Sequence, residues 1–180
     1  MKRYFIIIIA FVILASAALF FYDYFRPLSP PAEVSLTNRD LTVSVNYSRP
    51  SVRGRLIFGE RDQQALQPYG EYWRLGANAA TEATFTDDVL FNGMALAAGT
   101  YRMYAIPGRD SFEIVLNTEL GISGSQPPDH GRDVLRTSVP VEKPAAPVEQ
   151  FTITLEEARD GIDMVFEWSD VRFVVPVTIP

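Results

Sequence analysis

The chain has 180 residues, with 16 Lys or Arg against 22 Asp or Glu and no cysteine, so disulfides, thiolate metal centres and cysteine nucleophiles are excluded. Its charge is unevenly spread: residues 4–22 carry none, and beyond Arg26 there are 13 basic residues against 21 acidic ones, a net charge of −8. That balance excludes a duplex-DNA or RNA binder working by bulk phosphate attraction, and the roughly 155 residues outside the apolar run suffice for one core but not two.

The first expected element is a membrane span. The run YFIIIIAFVILASAALFFY at 4–22 extends about 28 Å as a helix, close to the thickness of a bilayer's hydrocarbon core. Tyr4 and Phe5 at one end, and Tyr22, Tyr24 and Phe25 at the other, resemble interfacial aromatic belts. Lys2 and Arg3 precede the run, whereas Asp23 and Arg26 cancel behind it, so the positive-inside bias places the N-terminus in the cytoplasm. The rest of the chain is then periplasmic or extracellular. A competing reading is a signal peptide cleaved after Ala17, since Ala15-Ser16-Ala17 fits the small-x-small rule. Both readings export the domain. The expected division is therefore an anchor at 1–25, a stiff Pro-rich tether at 26–32 (RPLSPPA) and one domain at 33–180.

Period-two alternation dominates that domain. Leu41, Val43, Val45 and Tyr47 alternate with polar residues, as do Ile162, Met164, Phe166 and Trp168, and then Val171, Phe173, Val175 and Val177. Asn92-Gly93 and Asp160-Gly161 fall between such runs and predict hairpins. Gly108-Arg109-Asp110 separates further strands near 100–106 and 111–117, and Asp62 to Leu66 allows at most a turn or two of helix. About nine or ten short strands without a long amphipathic helix predict an all-β sandwich or a partly closed barrel. Tyr101, in the string LAAGTY, predicts a tyrosine corner whose phenol bonds an upstream backbone group.

Two stretches lack strand pattern. The one at 118–132 is rich in Gly, Ser and Pro (GISGSQPPDHGR), which predicts mobility. The one at 49–80 inverts the local charge: Arg49, Arg53, Arg55, Arg61 and Arg74 face only Glu60, Asp62 and Glu71. Arginine forks match carboxylate or phosphate bidentately, Tyr69 and Trp73 offer flat surfaces for stacking, and Asn78 both donates and accepts. Arg49, Arg53, Arg55, Tyr69, Trp73, Arg74 and Asn78 are accordingly the candidate ligand-binding residues. The alternative is a folding clasp, in which Arg74 and Trp73 pin the loop to the sandwich through Glu82, Asp133 or Glu167.

The strings Tyr47-x-Arg49-Pro50-x-x-x-Gly54-Arg55, Ile57-Phe58-Gly59, Pro68-Tyr69-Gly70-x-x-Trp73-Arg74-x-Gly76-Ala77-Asn78, Ala98-Gly99-Thr100-Tyr101, Ile106-Pro107 and Glu167-Trp168 resemble a bacterial envelope family. It is the family catalogued as domain of unknown function 2911. The resemblance covers roughly 33–175 and implies an exported β-rich domain, with no assigned reaction.

Catalytic chemistry is sparse. His130 is the sole histidine, Ser123 does not sit in a nucleophile elbow, and Asp129, His130 and Asp133 make a weak metal-ligand set. No catalytic residue, metal or cofactor is assigned. The expected function is a membrane-anchored module binding an anionic or carbohydrate envelope ligand, or a protein partner. Two alternatives stand beside it: an envelope hydrolase using paired carboxylates, and a purely structural domain.

Overall fold

The computed structural model describes residues 27–180 and, within the apolar run, Tyr4, Ile9 and residues 11–17, which are helical. The expected span at 4–22 and the competing cleavage point after Ala17 lie in large part outside the described residues. Among those described, no helix is long and apolar enough to cross a membrane.

Thirteen strands follow in chain order: β1 (Pro31–Asn38), β2 (Leu41–Ser48), β3 (Phe58–Gly59), β4 (Gln67–Pro68), β5 (Thr81–Phe85), β6 (Val89–Phe91), β7 (Met94–Leu96), β8 (Gly99–Ile106), β9 (Ser111–Asn117), β10 (Asp133–Pro140), β11 (Val148–Ala158), β12 (Gly161–Ser169) and β13 (Val171–Thr178). Short 3-10 turns occur at Arg61–Gln63 and His130–Arg132. Six strands form one antiparallel sheet in the order β1-β2-β5-β8-β9-β10, five form a second in the order β11-β12-β13-β6-β7, and β3 and β4 make a separate parallel pair. The chain is all-β with two open sheets, and no closed barrel occurs among the described residues. More strands form than the nine or ten expected, because elements of two or three residues such as β3, β4, β6 and β7 are too short to display a period.

The two sheets pack face to face. Tyr47 of β2 meets Phe151 of β11 edge-on at 5.7 Å, Phe85 of β5 meets Phe91 of β6 at 6.0 Å, and Phe112 of β9 meets Phe173 of β13 at 5.4 Å. The alternating apolar residues of β2, β12 and β13 all point into this core, and all are buried. Asn92-Gly93 forms the β6–β7 turn, both residues adopting left-handed φ (48° and 79°), as a type I′ hairpin requires. At the other expected hairpin the turn falls one residue earlier. Ala158 pairs with Gly161, so Arg159 and Asp160 turn while Gly161 opens β12. Gly161 is needed for a different reason: a Cβ there would lie 2.0 Å from the Val177 carbonyl oxygen. The Tyr101 hydroxyl donates to Ala97 O at 2.9 Å, which completes the tyrosine corner.

Candidate functional site

The segment following β4 is set by one short backbone pairing. Trp73 N–H donates to Ala105 O and Ala105 N–H donates to Trp73 O, both at 2.8 Å, so this piece of loop runs as a strand beside β8. Extended backbone sends successive side chains to opposite faces, which drives Trp73 inward and Arg74 outward. Trp73 is 2% exposed, stacked on Trp168 at 5.8 Å and edge-on to Phe58 and Phe151 at 5.2 Å. It presents no face to a ligand, and the expectation that it stacks on one is corrected: Trp73 is the core plug that fixes the loop.

Arg74 emerges beside Gly124, where a Cβ would come 2.8 Å from Arg74 Cδ. None of the acids expected to clasp it does so. Glu82 accepts from Gly121 N–H at 2.7 Å, Asp133 from Asn117 at 2.8 Å, and Glu167 lies 3.8 Å from Arg172.

A cleft of about 310 Å³ brings Arg74 together with Arg53, Arg55 and Asn78. Its apolar side comes from Trp168, which is buried, and from the exposed Leu28 and Leu66. Among the described residues no carboxylate lines it. The backbone around it is unusual: Arg53, Leu75 and Asn78 have φ of 50°, 50° and 60°, and Gly54 and Gly76 also lie at positive φ. Such conformations cost about 1–3 kcal/mol each for ordinary residues and gather where a site has to be shaped. Gly76 has no substitute, since at φ 150° a Cβ would sit 2.8 Å from Ser48 O.

The arginines differ in what they hold. The Arg53 N–H donates to Glu149 Oε1 at 2.9 Å, but among the described residues neither the Arg53 nor the Arg74 guanidinium has an acceptor. Arg55 donates from Nε to Val52 O at 3.0 Å and from Nη2 to Ser51 O at 2.5 Å, which folds its own loop and leaves Nη1 unengaged. Arg49 lies apart from the cleft: it donates to Phe151 O at 3.2 Å and Thr152 Oγ1 at 2.9 Å, a tie to β11. Tyr69 is also apart, half-buried with the Arg109 guanidinium 5.7 Å from its ring.

A second polar cluster includes His130 and Asp133, two of the residues read as a weak metal-ligand set, but is organised around an arginine that the sequence did not single out. On the outer face of the six-stranded sheet, Arg102 of β8 is fully buried beneath the 118–132 loop. It donates to Glu119 Oε2 at 3.2 Å and to the Tyr72 hydroxyl and Gln126 O, both at 2.6 Å. Beside it the Tyr104 hydroxyl donates to Asp133 at 2.9 Å, and His130 Nδ1 lies 3.2 Å from the same carboxylate. Burial, reinforced by the Asp133 hydrogen bond and charge, raises the Tyr104 hydroxyl well above its ordinary value. Burial alone would also raise Asp133, but hydrogen bonds from Asn117, Tyr104, His130 and Arg136 outweigh it and hold the carboxyl below the usual range. The loop read as mobile is thus pinned, and the clasp belongs to Arg102 rather than Arg74. Nothing local in the sequence marks this, because Arg102 and Glu119 meet only through the sheet. No cluster of three or more metal-ligating side chains occurs among the described residues.

Fold and site together define an all-β sandwich with an arginine-lined cleft built mainly from the 49–80 segment. Residues 29–177 match a family of proteins of unknown function, DUF2911, and the chain belongs to that family. No curated protein and no solved structure is significantly similar to it.

Proposed function

We propose that the protein is a membrane-tethered, extracytoplasmic binding module that takes a phosphate- or carboxylate-bearing envelope ligand between Arg53, Arg55 and Arg74. One observation carries this reading: three guanidinium groups line a single cleft with no carboxylate among them, in a chain whose charge beyond Arg26 is −8. Charge-assisted hydrogen bonds contribute about 1.5–3 kcal/mol each, and the unengaged forks of Arg53 and Arg74 supply the donors. Asn78 adds an amide, and the exposed Leu28 and Leu66 suit a ligand with an apolar ring or chain beside its charge. The uncharged run at 4–22, with Lys2 and Arg3 ahead of it, supports an anchor with a cytoplasmic N-terminus and a periplasmic or extracellular domain.

Hydrolysis by paired carboxylates finds less support at this cleft. The acid next to it, Glu149, stands alone in the adjoining groove with Arg53 and Gln150. Thermal unfolding of the full chain in neutral detergent, with phosphate, glucuronate, neutral sugars and muropeptides added in turn, tests the proposal. Anions should raise the midpoint in wild type and not in the Arg53→Ser/Arg74→Ser variant. If no anion moves the midpoint, or the variant responds like wild type, the cleft is not the site.

A further inference from the structure

Of the seven large hydrophobic side chains exposed in residues 27–180, two line this cleft, Leu28 at 67% and Leu66 at 37%, and a third, Leu56 at 47%, follows Arg55 in the chain. Leu28 and Leu66 line the cleft, and Leu56 is joined to Leu66 by a backbone hydrogen bond of 3.0 Å. Those at the cleft are interleaved with Arg53, Arg55 and Arg74, whereas Arg61 on the same loop is paired with Glu71. Leucines among arginines around one cleft form the pattern of a surface that rests in the headgroup region of a bilayer.

The tether places that face. Asn78 Nδ2 donates to Ser29 O at 3.2 Å, and Arg49 N–H donates to Pro30 O at 2.9 Å, so residues 29 and 30 are fixed against the cleft before β1 begins. From Tyr22, the end of the apolar run, to Ser29 is seven residues, at most about 25 Å of extended chain. A cleft attached to so short a lead cannot turn far from the membrane that holds the anchor.

We infer that the cleft docks on that membrane and that its ligand is the headgroup phosphate of an anionic phospholipid, with Leu28, Leu56 and Leu66 entering the interface around it. This deepens the proposed anion site and rests on it. Charge agrees with the assignment. A guanidinium near an anionic leaflet strengthens association by about fivefold, so three together give on the order of a hundredfold. Glu149, whose carboxylate accepts from Arg53 N–H, lines the adjoining groove rather than the cleft.

The test is backbone hydrogen exchange on the full chain reconstituted in nanodiscs of phosphatidylcholine alone or of phosphatidylcholine with phosphatidylglycerol. The inference predicts that amides in 51–56 and 74–79 exchange about fivefold or more slowly in the anionic discs, the factor a single arginine–lipid contact supplies. The Arg53→Ser/Arg74→Ser and Leu28→Ser/Leu66→Ser variants, all altered at cleft positions outside the core, should each lose most of that protection. Adding inorganic phosphate to the neutral discs separates the two layers of the argument. Protection by free phosphate without protection by anionic discs overturns the lipid assignment and leaves the anion site standing. Protection by neither removes both. Equal protection in both disc types, unchanged in the arginine variant, means that the face rests on the bilayer without reading its charge, and this too overturns the headgroup assignment.

Discussion

Replacing Glu119 by Met tests which arginine holds the fold together. Arg102 has no solvent exposure, and its single charged partner is Glu119, whose side chain is 26% exposed. Met keeps the volume and removes the acceptor, so the variant strands a buried guanidinium with only the Tyr72 hydroxyl and Gln126 O. Breaking one side of a buried pair costs about 3–5 kcal/mol, and the partial exposure of Glu119 places this case near the lower end, about 3 kcal/mol. For a domain of this size that lowers the unfolding midpoint by about 6–12 °C. Removing both charges should recover most of it, because an apolar pair of similar volume is often as stable as a buried ion pair. The assay is thermal unfolding of wild type, Glu119→Met, Arg102→Met and the double variant in neutral detergent, followed by near-ultraviolet circular dichroism. If all three variants unfold within about 0.5 kcal/mol of wild type, or the double variant is no better than Glu119→Met, the buried clasp is refuted. Arg74→Ala serves as the contrast: with no internal partner, it should change stability by less than about 1 kcal/mol.

Trp73→Ala leaves a cavity among Phe58, Phe151 and Trp168 and should cost about 3–5 kcal/mol in the same unfolding assay, with Trp73→Phe losing clearly less. Gly124→Ala places a methyl 2.8 Å from Arg74 Cδ and 2.9 Å from Ala79 O, so it displaces the arginine together with the backbone beside Asn78 and should weaken phosphate binding by about tenfold, measured by titration. Asp133 titrates lower in the folded protein than the unfolded value of about 3.9, so its contribution to stability is present above that pH and is lost as pH falls through the folded value. The unfolding midpoint should therefore drop on acidification below about pH 4, and Asp133→Asn should flatten that drop relative to wild type.

What the sequence reveals depends on how far each signal reaches along the chain. Strands β2, β12 and β13 alternate over eight or nine residues with one face in the core, and their burial follows the pattern. Gly108-Arg109-Asp110 and Asn92-Gly93 are local turn chemistry and mark real strand boundaries. Strands β3 and β4 are two residues each and pair in parallel, a product of where the loop lands rather than of any local preference. The richness of 118–132 in Gly, Ser and Pro misleads because the restraint on it, Arg102, comes from a strand more than a dozen residues away. The arginine loop is legible as a source of charge but not as a geometry. Arg53, Arg55 and Arg74 share a cleft, whereas Arg49, the first residue past β2, turns to β11, and Trp73 and Arg74, adjacent in sequence, go to opposite faces. Spacing alone cannot separate those outcomes without knowing that residue 73 pairs with Ala105. Leu28 belongs to the tether and joins the cleft only because Asn78 and Arg49 hold residues 29 and 30 against it.

The central claim is that Arg53, Arg55 and Arg74 bind one anion together. Nitrogen-15 spectra of the arginine Nε–H groups in the full chain, recorded in neutral detergent during titration with glycerol phosphate, examine it directly. The account predicts saturable shifts with one common midpoint for these three residues, while the exposed Arg39 and Arg159, which meet at the β1–β2 and β11–β12 turns, stay unmoved. Shifts that never saturate, or that affect every exposed arginine alike, would contradict it.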